Sequence, residues 1–310
     1  MMKAKIPIIA ASMNQVSDAN LAIACQRAGI LPSISFLNFI DKKTHNIDVK
    51  GFCDEVKKYN NETGSSQLLI SISTKSLLFK SIRKTLKEIF KQINYSHLEI
   101  IPLGDVNFTH PDFEKNYKHR LDSLKEVLVE LEVPFVYWKS VGLKGAIKVL
   151  EYCNFINGVI LKGENGAGTT PKSYGNLEEN INYVKKHFQN IEVVASGGIN
   201  TYEEIKKYLN IGADKVAVGT PFAASLESKI SHDSKMQLVK NNSLDLQRIS
   251  EHQNGIMFKR LKEDDMNNTF SLQQGMISPQ QGHLFAGKGI DYIDGIHTVN
   301  TIVEKLWPIK

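Results

Sequence analysis

The chain has 310 residues, of which 42% are hydrophobic and 23% are charged, the balance of an ordinary globular protein. Its 38 basic and 33 acidic residues give a net charge of +5, which is too mild to indicate a nucleic-acid partner. No apolar run approaches the roughly 20 residues that span a bilayer, and the N-terminal apolar stretch is too short for a signal peptide. The sequence therefore predicts a cytoplasmic protein that binds neither nucleic acid nor membrane.

Short apolar runs alternate with longer amphipathic stretches as far as about residue 228. Runs such as GVIL at 158–161 and KVAV at 215–218 are rich in β-branched residues, which is typical of strands buried on both faces of a parallel sheet. Eight such units predict an α/β fold of the (β/α)8 TIM barrel type. An open doubly wound sheet is the alternative, but no G-x-G-x-x-G motif follows the first strand. The predicted strands are Ile6–Ala10, Leu31–Phe36, Leu68–Ile72, Leu98–Leu103, Pro134–Trp138, Gly158–Leu161, Glu192–Ala195 and Lys215–Val218.

Residues 229–291 interrupt the alternation with polar sequence, including the Gln-rich stretch SLQQGMISPQQGH. We interpret them as a partly helical insertion after the eighth strand, in a position to act as a lid over the catalytic face. A disordered surface excursion is the alternative. The predicted organisation is thus a barrel of residues 1–228 and 292–310, interrupted by an insertion of residues 229–291.

Two glycine turns follow the last two predicted strands. Ser196-Gly197-Gly198 follows the seventh, and Gly219-Thr220 follows the eighth. In a barrel these turns are neighbours, and backbone N–H groups without side-chain bulk can approach an anion closely. Each turn is expected to open a helix, whose N-terminus favours negative charge. The pair predicts a phosphate site, with tight turns of no further function as the alternative.

Two further stretches end predicted strands. The sixth strand ends in Lys162 and runs into a glycine-rich loop that extends to Thr170. We expect Lys162 to point toward the ligand pocket and to pair with a negative charge, with a solvated lysine on a long loop as the alternative. At the end of the first strand, small residues and Met13 can lie against an apolar ring, although a core methionine is the more common case.

In this order, the stretches resemble the nitronate monooxygenase (2-nitropropane dioxygenase) family of FMN enzymes. The similarity runs from PIIAASMNQVSDANLA through VILKGENGAG and ASGGI…GADKVAVGTPFAAS to HLFAGKGIDYI. Flavin-dependent enoyl-acyl-carrier-protein reductases share the phosphate-binding pattern. The resemblance implies an FMN phosphate at Gly197, Gly198, Gly219 and Thr220, with Ser196 as a further cofactor-binding residue. It implies further flavin contacts at Ser12, Met13, Lys162, Gly163, Glu164 and Gly166, and at Ser73, which stands where the family has an asparagine.

One departure from the family concerns catalysis. The family's loop continues E-A-G-G-H and its histidine exchanges the proton, whereas residues 164–170 of this chain read ENGAGTT. Proton abstraction next to a nitro group needs a group that titrates near neutral pH, for which histidine is best suited. The catalytic residue is therefore not identified. The candidates are His110, His283 and Lys162, and a packing or surface role is the alternative for the two histidines.

The resemblance implies an FMN-dependent oxidoreductase that oxidises alkyl nitronates with O2, with NAD(P)H as a further electron donor to test. The alternatives are an enoyl-thioester reductase that uses NAD(P)H and a barrel that binds FMN or phosphate without turnover. A purine-nucleotide dehydrogenase needs a nucleophilic cysteine after the later glycine turn, but Cys25, Cys53 and Cys153 all precede it. These cysteines lack the spacing of a zinc site or a disulfide framework, so no metal is expected. The expected partner is a small-molecule substrate, and a homodimer is compatible with the sequence.

Overall fold

The computed structural model describes residues 6–41, 46–78, 80–102, 113–171, 176–251, 256–261 and 284–308. Its strands are β1 (Ile8–Ala10), β2 (Ser33–Ser35), β3 (Leu69–Ser73), β4 (His97–Ile101), β5 (Val136–Val141), β6 (Gly158–Lys162), β7 (Gly168–Pro171), β8 (Glu192–Ser196), β9 (Lys215–Val218), β10 (Leu246–Glu251) and β11 (Ile256–Leu261). Each of the eight strands expected from the apolar runs overlaps one of these, with its ends displaced by a few residues.

Eight of the strands form one parallel ring, in the order β2-β3-β4-β5-β6-β8-β9-β1. The ring closes where Ile9 pairs with Leu31, just before β2. There the N–H of Ala10 donates to the carbonyl of Leu31 at 2.9 Å, and the N–H of Leu31 donates to Ile8 at 3.0 Å. The fold is therefore a (β/α)8 TIM barrel, as predicted.

Helices follow the strands around the ring. They are α1 (Ala19–Arg27), α2 (Val49–Thr63), α3 (Thr74–Leu78), α4 (Lys80–Phe90), α5 (Phe113–Glu130), α6 (Leu143–Tyr152), α7 (Leu177–His187), α8 (Tyr202–Ile211), α9 (Thr220–Ala223), α10 (His232–Lys240) and α11 (Val299–Leu306). Among the described residues, no helix combines the length and the apolar character needed to cross a bilayer.

Alternating side chains on the strands build two separate cores, because successive residues of a strand face opposite sides of the sheet. The larger core packs the outer faces of the strands against the helices. The smaller one fills the inside of the barrel with Ile9, Leu31, Leu69, Tyr137, Ile160, Val194 and Ala217. The barrel interior is thus packed, and ligands have access at its ends.

Helix α8 shows how local sequence sets an element boundary. The Thr201 hydroxyl accepts the N–H of Glu204 at 3.1 Å, and the Glu204 carboxylate accepts the N–H of Thr201 at 3.2 Å. This capping box starts the helix, and Gly212 ends it at a φ of 116°, in the left-handed region that glycine tolerates best.

The segment after β9 combines a helix with strands. Helix α10 is followed by β10, which pairs antiparallel with β11, and β11 pairs antiparallel with β7. Strand β7 lies in the stretch expected to be a glycine-rich loop, so the insertion forms a three-stranded sheet with the chain that follows β6. Strands β10 and β11 were not predicted, because their sequences LQRISE and IMFKRL lack a clear alternation of apolar and polar residues. The proposed boundaries of the insertion, residues 229 and 291, remain a prediction.

Candidate functional site

The two glycine turns lie side by side at the C-terminal end of the barrel. Strands β8 and β9 are hydrogen-bonded neighbours with Ser196 opposite Ala217, so the turns that follow them start roughly 5 Å apart. Gly197 and Gly198 have φ angles of 107° and 78°, which side-chain-bearing residues rarely adopt. The first turn therefore lies next to the start of the second, as the sequence predicted, and Gly197 and Gly198 are partly exposed.

Only the second turn opens a helix directly. Gly219 is the N-cap of α9, which begins at Thr220, whereas α8 begins at Tyr202, well after Gly198. A helix does follow Gly197-Gly198, but its N-cap is Thr201, so the glycine turn itself is separated from the helix start. The Glu204 carboxylate also accepts the N–H of Asn200 at 2.8 Å, so this helix start already holds a negative charge. An anion here would be bound by the glycine backbone and by the Thr220 hydroxyl at the start of α9.

The loop after β6 packs directly on the first glycine turn. The Gly163 N–H donates to the carbonyl of Ser196 at 2.9 Å. A Cβ atom on Gly197 would lie 2.9 Å from the Gly163 oxygen, and one on Gly166 would lie 3.3 Å from the Gly197 Cα. The two backbones are therefore in contact, and glycine is required at the point of closest approach. Glu164 is exposed on the same loop.

Lys162, at the end of β6, also contacts the loop that follows this strand. Its ammonium donates to the carbonyl of Ala167, and its hydrocarbon chain covers Gly166, where a Cβ would lie 2.8 Å from Lys162 Cε. The side chain is half-buried at the end of β6. The structure thus gives Lys162 a contact within the loop, in addition to its predicted position at the strand end.

The chain that returns at residue 284 joins the two turns and the loop. The Gly287 N–H donates to the Thr220 hydroxyl at 3.2 Å, and the Lys288 N–H donates to the carbonyl of Asn165 at 2.9 Å. Leu284 is buried and anchors the segment. The stretch LFAGKG therefore lies against all three glycine-containing segments.

The end of β1 forms the neighbouring wall. A Cβ atom on Gly219 would lie 3.4 Å from Met13 Sδ and 3.5 Å from the Ala11 Cβ, so the thioether lies close to the second glycine turn. Ser12 is partly exposed between them. The Ser17 hydroxyl holds this segment, because it accepts the Met13 N–H at 2.9 Å.

Asn38 also shapes the β1 segment. Its Oδ1 accepts the N–H of Gln15 at 2.6 Å, and its Nδ2 donates to the Ser17 carbonyl at 2.9 Å. Gln15 has a φ of 64°, an unusual conformation that these bonds help to hold. Sequence reasoning missed Ser17 and Asn38, because only the tertiary fold brings Asn38 to this loop.

Asn14 carries a buried oxygen at this wall. Its Oδ1 has no hydrogen-bond partner among the described residues. A buried acceptor without a partner costs free energy, on the order of 1–3 kcal/mol, unless a ligand or water satisfies it. Asn14 directly follows Met13, whose thioether lies close to Gly219.

Ser73 ends β3 at the same face of the barrel. Its hydroxyl accepts the N–H of Ser76 at 3.1 Å and lies 2.8 Å from the Ser76 hydroxyl, so it caps the short helix α3. The side chain is buried. The two candidate histidines, His110 and His283, lie outside the described residues.

All three cysteines are buried and free of disulfide bonds. Burial raises the pKa of the Cys153 thiol to about 12, and it also raises the pKa values of Cys25 and Cys53. A thiol acts as a nucleophile through its thiolate, which burial disfavours here. The cysteines therefore pack in the larger core and are not suited to nucleophilic chemistry.

Comparison with known proteins identifies a family. The profile described as nitronate monooxygenase matches residues 141–308, which is more than half of the chain. The matched region contains the loop after β6, both glycine turns and the returning segment. No curated protein matches the sequence at a significant level.

Several solved structures share the fold. FabK (M276A) from Thermotoga maritima superposes with a TM-score of 0.74 and 20% identity, covering 98% of this chain and 91% of its own. Nitroalkane oxidase from Streptomyces ansochromogenes superposes with a TM-score of 0.66 and 18% identity, and the match covers 98% of this chain and 95% of the oxidase. The enoyl reductase domain of MlnA from Bacillus amyloliquefaciens superposes with a TM-score of 0.59 and 13% identity, and the match covers 84% of this chain and 64% of that domain.

Proposed function

The chain belongs to the nitronate monooxygenase family of flavin-dependent oxidoreductases, and we propose that it binds FMN and oxidises a small alkyl nitronate, with O2 as the electron acceptor. The observation that carries the proposal is the convergence of two glycine turns, the start of α9 and Gly287 at the C-terminal end of one barrel. Barrels of this type commonly hold a phosphate after their last two strands.

The residues present fit a flavin nucleotide. Backbone N–H groups at Gly197, Gly198 and Gly219 and the hydroxyl of Thr220 are donors suited to a phosphate dianion. Asn14 offers a buried acceptor without a partner among the residues that the structure describes, which suits the N–H donor of a flavin ring. Met13 offers a polarisable apolar surface next to Gly219. When bound, the flavin accepts the electrons of the oxidation, and the protein supplies position and charge.

The loop without histidine favours a nitronate over a neutral nitroalkane. A nitronate has already lost its carbon-bound proton, so its oxidation starts without a general base. Residues 164–170 read ENGAGTT and offer no group that titrates near neutral pH. We therefore expect the chain to hold and orient an anion and to leave deprotonation of the substrate to the solvent.

The test is a pair of spectral titrations on the purified protein without oxygen. We expect the bound flavin to bleach with ethyl nitronate, to bleach far less with an equal concentration of freshly dissolved nitroethane, and to recover its colour in air. A protein that purifies without flavin would contradict the proposal. A flavin that only NADPH reduces and only an enoyl thioester reoxidises would identify an enoyl reductase instead.

A further inference from the structure

A charged pair lies inside the barrel, apart from the glycine turns. Lys139 Nζ donates to Glu99 Oε1 at 2.9 Å, and the Ser71 hydroxyl donates to the same oxygen at 2.9 Å. The three residues come from β5, β4 and β3, and no sequence motif pointed to them. A buried ion pair is expensive to desolvate and contributes little net stability, so its presence in a barrel core needs an explanation.

The pair lies on the C-terminal side of the apolar layer. Tyr137 belongs to the interior core, whereas Trp138 belongs to the outer one, so Lys139 points into the barrel. Lys139 comes two residues after Tyr137, and Ser71 comes two residues after Leu69, which is also in the interior core. Each step moves about 7 Å toward the C-terminal end, where the glycine turns lie. Strands β4 and β5 are across the ring from β9 and β1, so the pair faces the proposed flavin site from the opposite wall.

The two members of the pair differ in exposure. The Glu99 side chain is 2% exposed, whereas the Lys139 side chain keeps 14%. An ammonium group has three donors, and Glu99 is the one partner of Lys139 among the described residues. The carboxylate is thus held within the core, and the ammonium keeps donors for a group that enters the barrel mouth.

We propose that Lys139 forms an anion subsite in the barrel mouth and donates to an oxygen of a small organic oxyanion such as a nitronate. The inference deepens the proposed function and rests on it for the identity of the substrate. In the absence of an anion, Glu99 binds the ammonium and offsets its charge. An anion that binds here competes with Glu99 for Lys139, so removal of the carboxylate charge strengthens binding.

The experiment measures the binding of nitrate to the protein by isothermal titration calorimetry at constant ionic strength. Nitrate is a planar anion with oxygens arranged as in a nitronate. Glu99→Gln is expected to lower the dissociation constant severalfold. In the double variant Glu99→Gln with Lys139→Met, the dissociation constant for nitrate is expected to be at least tenfold higher than in Glu99→Gln alone. The double variant leaves no unpaired charge in the core, so the fold is expected to persist.

The barrel supplies a matched control at its other end. Lys215 pairs with Glu192 near the N-terminal ends of β9 and β8. Glu192→Gln with Lys215→Met removes the same charges and is expected to leave the nitrate affinity unchanged. Equal affinities in Glu99→Gln and its Lys139→Met derivative, or an equal loss in the control, would overturn the inference. The flavin content is read from absorbance, so a protein without flavin contradicts the proposed function while the calorimetry still decides the role of Lys139.

Discussion

Gly287 donates its backbone N–H to the hydroxyl of Thr220 at 3.2 Å, which joins two segments that are 67 residues apart in the chain. Thr220 begins α9, and Gly287 belongs to the segment that also contacts the loop after β6. The hydrogen bond therefore links the proposed phosphate site to its outer wall. A substitution that displaces Gly287 is therefore expected to weaken cofactor binding.

Gly287→Val is expected to lower flavin retention. A Cβ atom at this position would lie 2.6 Å from the Asn165 oxygen and 2.9 Å from the Ala167 nitrogen, both of which are backbone atoms that cannot rotate away. The measurement is the flavin-to-protein absorbance ratio after gel filtration. Gly64→Asn is the control, since Gly64 has open space and asparagine tolerates its left-handed conformation. Full flavin retention by Gly287→Val would show that the returning segment does not shape the site.

Two substitutions of Gly219 distinguish the effect of side-chain charge from the effect of side-chain shape at the proposed phosphate site. Its φ of −123° suits any residue, and an added Cβ would make ordinary contacts with Met13 and Ala11. Gly219→Asp is expected to weaken FMN binding at least tenfold through repulsion of the phosphate, whereas Gly219→Asn is expected to retain most of it. The dissociation constants come from fluorescence titration of flavin-free protein. Equal losses in both variants would assign the effect to shape. Gly198 is a poorer site for this test, because its φ of 78° strains any side chain.

Local signals in the sequence predicted the barrel and its glycine turns. The strands were visible as short apolar runs, and the capping box of Thr201 and Glu204 was readable because both residues lie within one helical turn. Glycine positions such as Gly197 and Gly219 could be placed at strand ends, since all parallel strands of a barrel end at the same face.

Features that depend on distant parts of the chain could not be predicted. Strand β7 forms because β11 supplies its hydrogen bonds, and the two are far apart in sequence. The pair of Glu99 and Lys139 depends on the register of β4 against β5, which a single sequence does not give. The contact of Lys162 with Ala167 depends on the path of the loop, whereas the sequence showed only that a lysine ends the strand.

Lys162→Met is expected to loosen the loop after β6 without unfolding the barrel. It removes the ammonium that binds the Ala167 carbonyl and keeps the apolar chain that covers Gly166. Amide hydrogen exchange in residues 163–171 is therefore expected to accelerate, while exchange in β8 stays slow. Lys186→Met on the exposed face of α7 is the control. Unchanged exchange in the loop would mean that the Lys162 contact does not hold it.

A second polar cluster lies near the N-terminal end of the barrel. The His97 ring stacks on Tyr137 with centroids 5.6 Å apart, and the Tyr137 hydroxyl and Lys215 both bond Glu192. Burial lowers the pKa of His97 to about 4, and the nearby positive charge of Lys215 adds to the effect, while Glu192 opposes it. His97 is therefore neutral in the folded protein at neutral pH.

The pKa of His97 predicts a loss of stability in mild acid. An unfolded histidine has a pKa of about 6.5, so between this pH and about 4 the unfolded chain binds a proton that the folded chain does not. The free energy of unfolding is thus expected to fall by about 3 kcal/mol across this window. His97→Phe retains the aromatic stack and is expected to remove this part of the pH dependence. Urea unfolding at several pH values measures both proteins, and parallel curves for the two would contradict the assignment to His97.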